Sequence, residues 1–280
     1  MSGTKKGGIR RRSPVVSGIF YPESPGALYN TLVSWGLKEG RGRGGQVIIA
    51  PHGAWDFSGN IAGKAFAAVQ KKSPKTGSCL SRVFLLGKCH QPAEEGIYLS
   101  DSAAFETPLG DLYVDHVMNR KLASCSTLIR INDIPHLGEH SLEVLLPPLK
   151  FCFPEAAIVP IVMSGTRPLL VSGLSRALRI VLEKYMEESL VIISSNVSRS
   201  PDPALALSMA EDFRSLLESM DSPSFLARLS AGRISASGGA LVGALLESGL
   251  LDGRRFSALC PMASCTGENS ETVYYGAFGA

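Results

Sequence analysis

No apolar stretch in this 280-residue sequence approaches the ~18 residues that a membrane-spanning helix needs. No apolar core region follows the basic N-terminus, so a secretory leader is not expected. Charged residues make up only 19% of the chain and hydrophobic residues 45%, which excludes a disordered polymer and supplies one large core or two modest ones. The six cysteines, Cys79, Cys89, Cys125, Cys152, Cys260 and Cys265, are scattered. Cys260 and Cys265 are spaced C-x4-C with no second pair, so neither a disulfide framework nor a structural zinc site is expected, and a reducing cytoplasm is. The formal net charge is only +3, and the excess sits in "KKGGIRRR" (5–12) and "KEGRGRGG" (38–45) without interleaved aromatics. These read as a flexible basic tail over residues 1–12 and a solvated loop, not as a nucleic-acid arm. No composition break marks a linker, and no repeat has a fixed period.

What the chain does have is one local pattern, used several times. "QVIIAPH" (46–52), "SRVFLLGKCH" (81–90), "AAIVPIVMSG" (156–165) and "ESLVIISSNVSR" (188–199) are continuous apolar runs that end on small or polar residues. Runs of this kind suit strands buried on both faces of a mostly parallel sheet. Helical spacing of apolar residues appears over 59–72, 139–151, 167–188, 203–221 and 239–251, with the second of these expected to stop near Pro147. Alternating strands and helices predict a single-domain α/β fold with helices on both faces of the sheet. In such sheets ligands bind at the carboxyl ends of the strands. His52, His90 and the Ser194–Arg199 segment all fall at such ends, so three segments far apart in sequence are expected to meet at one cleft.

The same residues carry a family resemblance. "IIAPHGAWDFSG", "VFLLGKCH", "FETPLGDLYVD", "EHSLEVLLPPLKF" and "CTGENSETVYYGAFGA", preceded by "RRSPVVSGIFYPESPGALYNTL", resemble in order the motifs of the Memo family, whose prokaryotic members are called AmmeMemoRadiSam system protein B. The resemblance runs over residues 13–280. It implies a fold like that of class III extradiol dioxygenases, with a metal-type cleft. It also implies radical SAM and AMMECR1-type protein partners.

Carried over position by position, the family's cleft gives His52 and His90 for its first two histidines. Its aspartate, third histidine and cysteine fall on Asn196, Arg199 and Ser237. Each replacement weakens a metal site. Asparagine removes a charge, serine replaces a thiolate, and a guanidinium ~6 Å from a divalent ion would repel it by roughly 5 kcal/mol at an effective dielectric of ~20. Arginine also cannot serve as a general base. Glu139 and His140 remain, either as the start of a helix, or in support of the metal ligands or as a substitute acid/base. Cys89 is expected to point away from His90, as strand neighbours do. Trp55 and Asp56 read as cleft wall and helix cap.

Two readings follow. In one, the metal site is degenerate, no cofactor is held, and the chain is a binding or scaffold protein whose cleft takes a small anion if Arg199 turns inward. In the other, an enzyme or metal carrier holds iron, copper or zinc at an altered site in which His52 and His90 are joined by Glu139, His140 or a ligand atom.

Overall fold

The structure, a computed structural model, describes residues 10–37, 45–69, 77, 80–91, 93–267 and 270–280. Its first half contains β1 (Arg11–Arg12), α1 (Pro25–Ser34), β2 (Val47–Ala50), α2 (Trp55–Ala68), β3 (Arg82–Lys88), β4 (Gly96–Leu99), β5 (Ala104–Phe105), β6 (Leu112–Tyr113), α3 (His116–Cys125) and β7 (Ile129–Ile131). Then come α4 (Ile134–Leu137), α5 (His140–Glu143), α6 (Leu146–Cys152), β8 (Ala157–Ser164), α7 (Pro168–Tyr185), β9 (Ser189–Ser194), β10 (Ser198–Ser200), α8 (Pro203–Ser219), α9 (Ser222–Ser230) and α10 (Gly239–Glu247). The chain closes with β11 (Ser257–Ala258), β12 (Ala263–Thr266), β13 (Thr272–Tyr275) and β14 (Phe278–Gly279).

Eight of the described strands form the main sheet, in the order β11-β14-β2-β9-β3-β8-β4-β7. The four central strands β2, β9, β3 and β8 are mutually parallel. The flanking β14 and β4 join them antiparallel. Alternate residues of each central strand enter opposite cores, as the period of two requires. Val47, Ile49, Phe84, Leu86, Val191 and Ile193 belong to one core with α7 and α10, and Ile48, Val83, Leu85, Leu190 and Ile192 to another with α1 and α2. Helices therefore cover both faces, as the continuous apolar runs predict. No described helix is long and apolar enough to cross a membrane.

Several sequence-based boundaries move. The basic tail expected over 1–12 does not extend to its last residues, because Arg11–Arg12 pairs with β5 and Arg12 is 2% exposed. Residues 1–9 lie outside the described residues, as do 38–44 of the basic loop. The helix expected over 139–151 is two short helices, and Pro147 and Pro148 start α6 rather than end a helix, since proline needs no N–H donor in a first turn. The run to Arg199 breaks after Ser194, and β10 leaves the main sheet to pair with β13. Trp55 opens α2 and packs on Trp35 and Tyr21 instead of walling the cleft. Asp56 sits inside the first turn, with Ala54 at the cap position.

Candidate functional site

β2 and β3 lie two strands apart with β9 between them, and the chain leaves each at its carboxyl end. His52 follows β2 and His90 follows β3, and their ring centroids are 5.1 Å apart. α5 brings a third imidazole. His140 lies 4.5 Å from His90 and 5.9 Å from His52, centroid to centroid. One ring nitrogen from each of the three lies within 4.8 Å of the others. The approach of α5 depends on Gly87 near the end of β3, where an added Cβ would meet Ser141 Oγ and Leu142 Cδ2 at 2.5 Å. Gly238 has the same role behind the cleft, since a Cβ there would meet the Ser194 carbonyl oxygen at 2.7 Å.

Hydrogen bonds fix which nitrogen each ring presents. Ser194 Oγ donates to the Ser141 carbonyl at 2.6 Å, so it accepts from His52 Nδ1 at 2.8 Å. This leaves His52 Nε2 as a buried nitrogen with no partner. Glu139 Oε1 accepts from His90 Nδ1 at 2.8 Å and Glu139 Oε2 from the His90 backbone N–H at 2.5 Å, which leaves His90 Nε2 free. Glu139 also caps α5 by accepting from the Ser141 N–H at 2.8 Å. Burial opposes its charge, but these bonds, led by the one from the His90 ring, outweigh it and hold the carboxyl at about 2. His52 is pushed well below the usual imidazole range, first by burial and then by His90 and His140. His140 is lowered by burial and by His90. His52 and His140 therefore present lone pairs at neutral pH.

The other expected residues line or back the same cleft, a cavity of about 260 Å³ that also includes Lys88. Asn196 Oδ1 accepts from the His52 N–H at 3.1 Å, and Ser237 Oγ accepts from the Asn196 N–H at 2.9 Å. Both therefore brace the backbone around the cluster. Arg199 does not turn inward. Its guanidinium pairs with Glu271 at the rim and its side chain is 61% exposed. The expected repulsion of a cation is thus met by a carboxylate and by solvent. Cys89 faces away into the core and burial raises its thiol. Lys88 went unnoticed in the sequence reading, although it immediately precedes Cys89-His90 at the end of the strand.

Comparison with known proteins agrees with this architecture. The chain is 30% identical over 202 residues to a MEMO1 family protein of Desulfurococcus amylolyticus, covering 67% of this chain and 69% of that one. It is 27% identical to MEMO1 family proteins of Nitrosopumilus maritimus and Thermoplasma acidophilum, each over 95% of this chain, covering 98% and 97% of those proteins. The crystal structure of an uncharacterised Escherichia coli K12 protein superposes with a TM-score of 0.52 at 12% identity, covering 83% of this chain and 99% of that one, which speaks for the fold alone. The family model of the Memo-like proteins matches residues 12–277, and the chain belongs to that family.

Proposed function

We propose that the chain binds a divalent first-row metal through His52, His90 and His140, and that the cleft is a metal-dependent binding or catalytic site. The observation that carries this reading is the buried, unpartnered Nε2 of His52 inside a group of three imidazoles. A buried nitrogen without a partner costs roughly 1–3 kcal/mol, and a metal ion would supply the partner. The donor set fits. Three imidazoles are a sufficient protein contribution to an open metal site, and imidazole suits zinc, copper and iron. Two imidazole nitrogens on one ion at ~2.1 Å each lie no more than ~4.2 Å apart. The partly exposed His90 and His140 rings can make that adjustment by small rotations.

The chain's own residues do the rest. Glu139 and Ser194 orient the rings of His90 and His52 through their Nδ1 atoms, the arrangement by which outer groups set tautomer and raise ligand basicity. A bound ion there would act as a Lewis acid or lower the pKa of a bound water. Asn196 and Ser237 are already engaged with backbone N–H groups, and Arg199 cannot act as a base. Glu139 is held as a carboxylate and His90 is a ligand in this reading, so among the residues lining the cleft an acid/base role falls to Lys88. The scaffold reading leaned on a cleft with two imidazoles, and the third weakens that ground.

The test is equilibrium titration of chelator-treated protein with zinc, iron(II) and copper(II). The expected result is one equivalent per chain, with His140→Ala weakening the affinity by about 100-fold or more, beyond the 10–100-fold typical of outer-shell losses. Binding below a tenth of an equivalent, or equal affinity in His140→Ala, would sink the proposal.

A further inference from the structure

Beyond the histidine cluster the cleft continues into an annex of about 160 Å³ lined by Phe57, Cys265, Val273, Tyr275 and the Arg199–Glu271 pair. Arg199 and Val273 line both compartments and so stand at their junction, whereas Glu271 lines the annex. Two of the residues that line it, Phe57 and Tyr275, are aromatic. Phe57 belongs to the first turn of α2 and is 56% exposed, whereas Tyr275 is buried. An apolar cavity of ~150 Å³ holds a benzene ring, so the annex accepts a compact body of that size. Arg199 is fixed through its backbone, whose N–H donates to Ser235 Oγ at 2.9 Å. Its Nε and Nη2 both donate to one oxygen of Glu271, so the guanidinium edge that holds a carboxylate faces the annex rim.

We propose that Arg199 anchors the carboxylate of a ligand whose ring-sized apolar body fills the annex between Phe57 and Tyr275, and that Glu271 occupies this anchor in the ligand-free chain. Exchange costs little, because both partners are partly solvated and the incoming carboxylate remakes the bonds that Glu271 gives up. A ligand seated this way would turn its remaining groups toward the histidine compartment past Val273. The proposal rests on the cleft being a ligand site, and does not require the metal.

Benzoate is the probe. It is titrated by calorimetry into chelator-treated wild-type protein and into the Arg199→Gln, Glu271→Gln and Glu271→Ala variants, with circular dichroism confirming the fold of each. Acetate and benzyl alcohol, lacking the ring and the charge respectively, are the controls. Removing an exposed competing charge is expected to tighten benzoate binding by about two- to fivefold in both Glu271 variants. Arg199→Gln is expected to weaken it by about tenfold or more, and both control compounds to bind correspondingly less well. Benzoate affinity unchanged by Arg199→Gln, or not improved by either Glu271 variant, overturns the proposal. So does the absence of benzoate binding in every variant. Benzoate binding that appears only with added zinc overturns the Arg199 anchor and leaves the metal reading standing. Benzoate binding as expected without any zinc binding does the reverse.

Discussion

His136 and His140 lie four residues apart and meet opposite environments. His140 borders the cleft with neighbouring lone pairs, whereas His136 is 1% exposed beneath it. His136 Nε2 donates to the Tyr98 carbonyl at 3.1 Å and its Nδ1 has no partner. Burial dominates its titration and lowers it to about 4, against the Tyr98 carbonyl and Asp133, which favour the proton, and with Arg12, which opposes it. Above the unfolded value of 6.5 both states are neutral and His136 adds no pH dependence. Below it the unfolded chain takes up the proton first, so the native state loses stability as pH falls from 6.5 toward 4, by about 2 kcal/mol at pH 5. Replacing His136 by Gln should flatten the change in urea-unfolding stability between pH 7 and pH 5 by about that amount, whatever the variant's stability at pH 7. An undiminished pH dependence would show that other histidines carry it. His52 and His140, also lowered by burial, work in the same direction.

At the scale of elements, α5 is four residues long and could not persist alone. It is held from below by Arg12, whose Nε donates to the His136 carbonyl at 3.1 Å and Nη2 to the Glu139 carbonyl at 2.8 Å, while Nη1 pairs with Glu143. Glu143 also accepts from the backbone N–H of Val15 and Val16 and from the Tyr21 hydroxyl. Replacing Glu143 by Gln leaves a buried guanidinium without its counter-charge and should cost about 3–5 kcal/mol in chemical unfolding. Adding Arg12→Met should recover only part of this, because the carbonyls of His136 and Glu139 lose their donor. Full recovery would mean that the network is only a charge pair. None of this was legible in the sequence, where Arg12 read as the end of a basic tail and its partner lies 131 positions away. The central strands were legible because being buried on both faces forces a continuous apolar run. β4, β7 and the short strands after α10 were not, because two to four residues carry too little periodicity. His52 and His90 were legible as strand ends. His140 was legible only as one of several residues that could join them, because only the close approach permitted by Gly87 puts it beside them. The sequence left the orientation of Arg199 open, because Glu271, 72 positions away, decides where it points.

For the molecule as a whole, the three histidines join segments separated by 38 and 50 residues of chain. His52 ends one parallel strand, His90 another two places along the sheet, and His140 belongs to a helix laid across the second. An ion shared by all three can be held tightly only by the native arrangement, since the unfolded chain presents single imidazoles far apart. Binding to the native state alone adds about 2.7 kcal/mol when the free ion is at 100 times its Kd. For a chain of this length each kcal/mol moves the midpoint by roughly 2–4 °C, so zinc at that excess should raise Tm by about 5–10 °C. His52→Ala and His140→Ala should lose most of that rise, because each removes one of three donors. His136→Gln should keep it, since His136 lies outside the cluster and contributes only to stability. Differential scanning calorimetry of the four proteins with and without zinc separates the cases. A rise that survives in His52→Ala, or one that is also lost in His136→Gln, would mean that the ion acts elsewhere or through the fold at large. Equal rises in all four would return the cleft to a site whose ligand is not a metal.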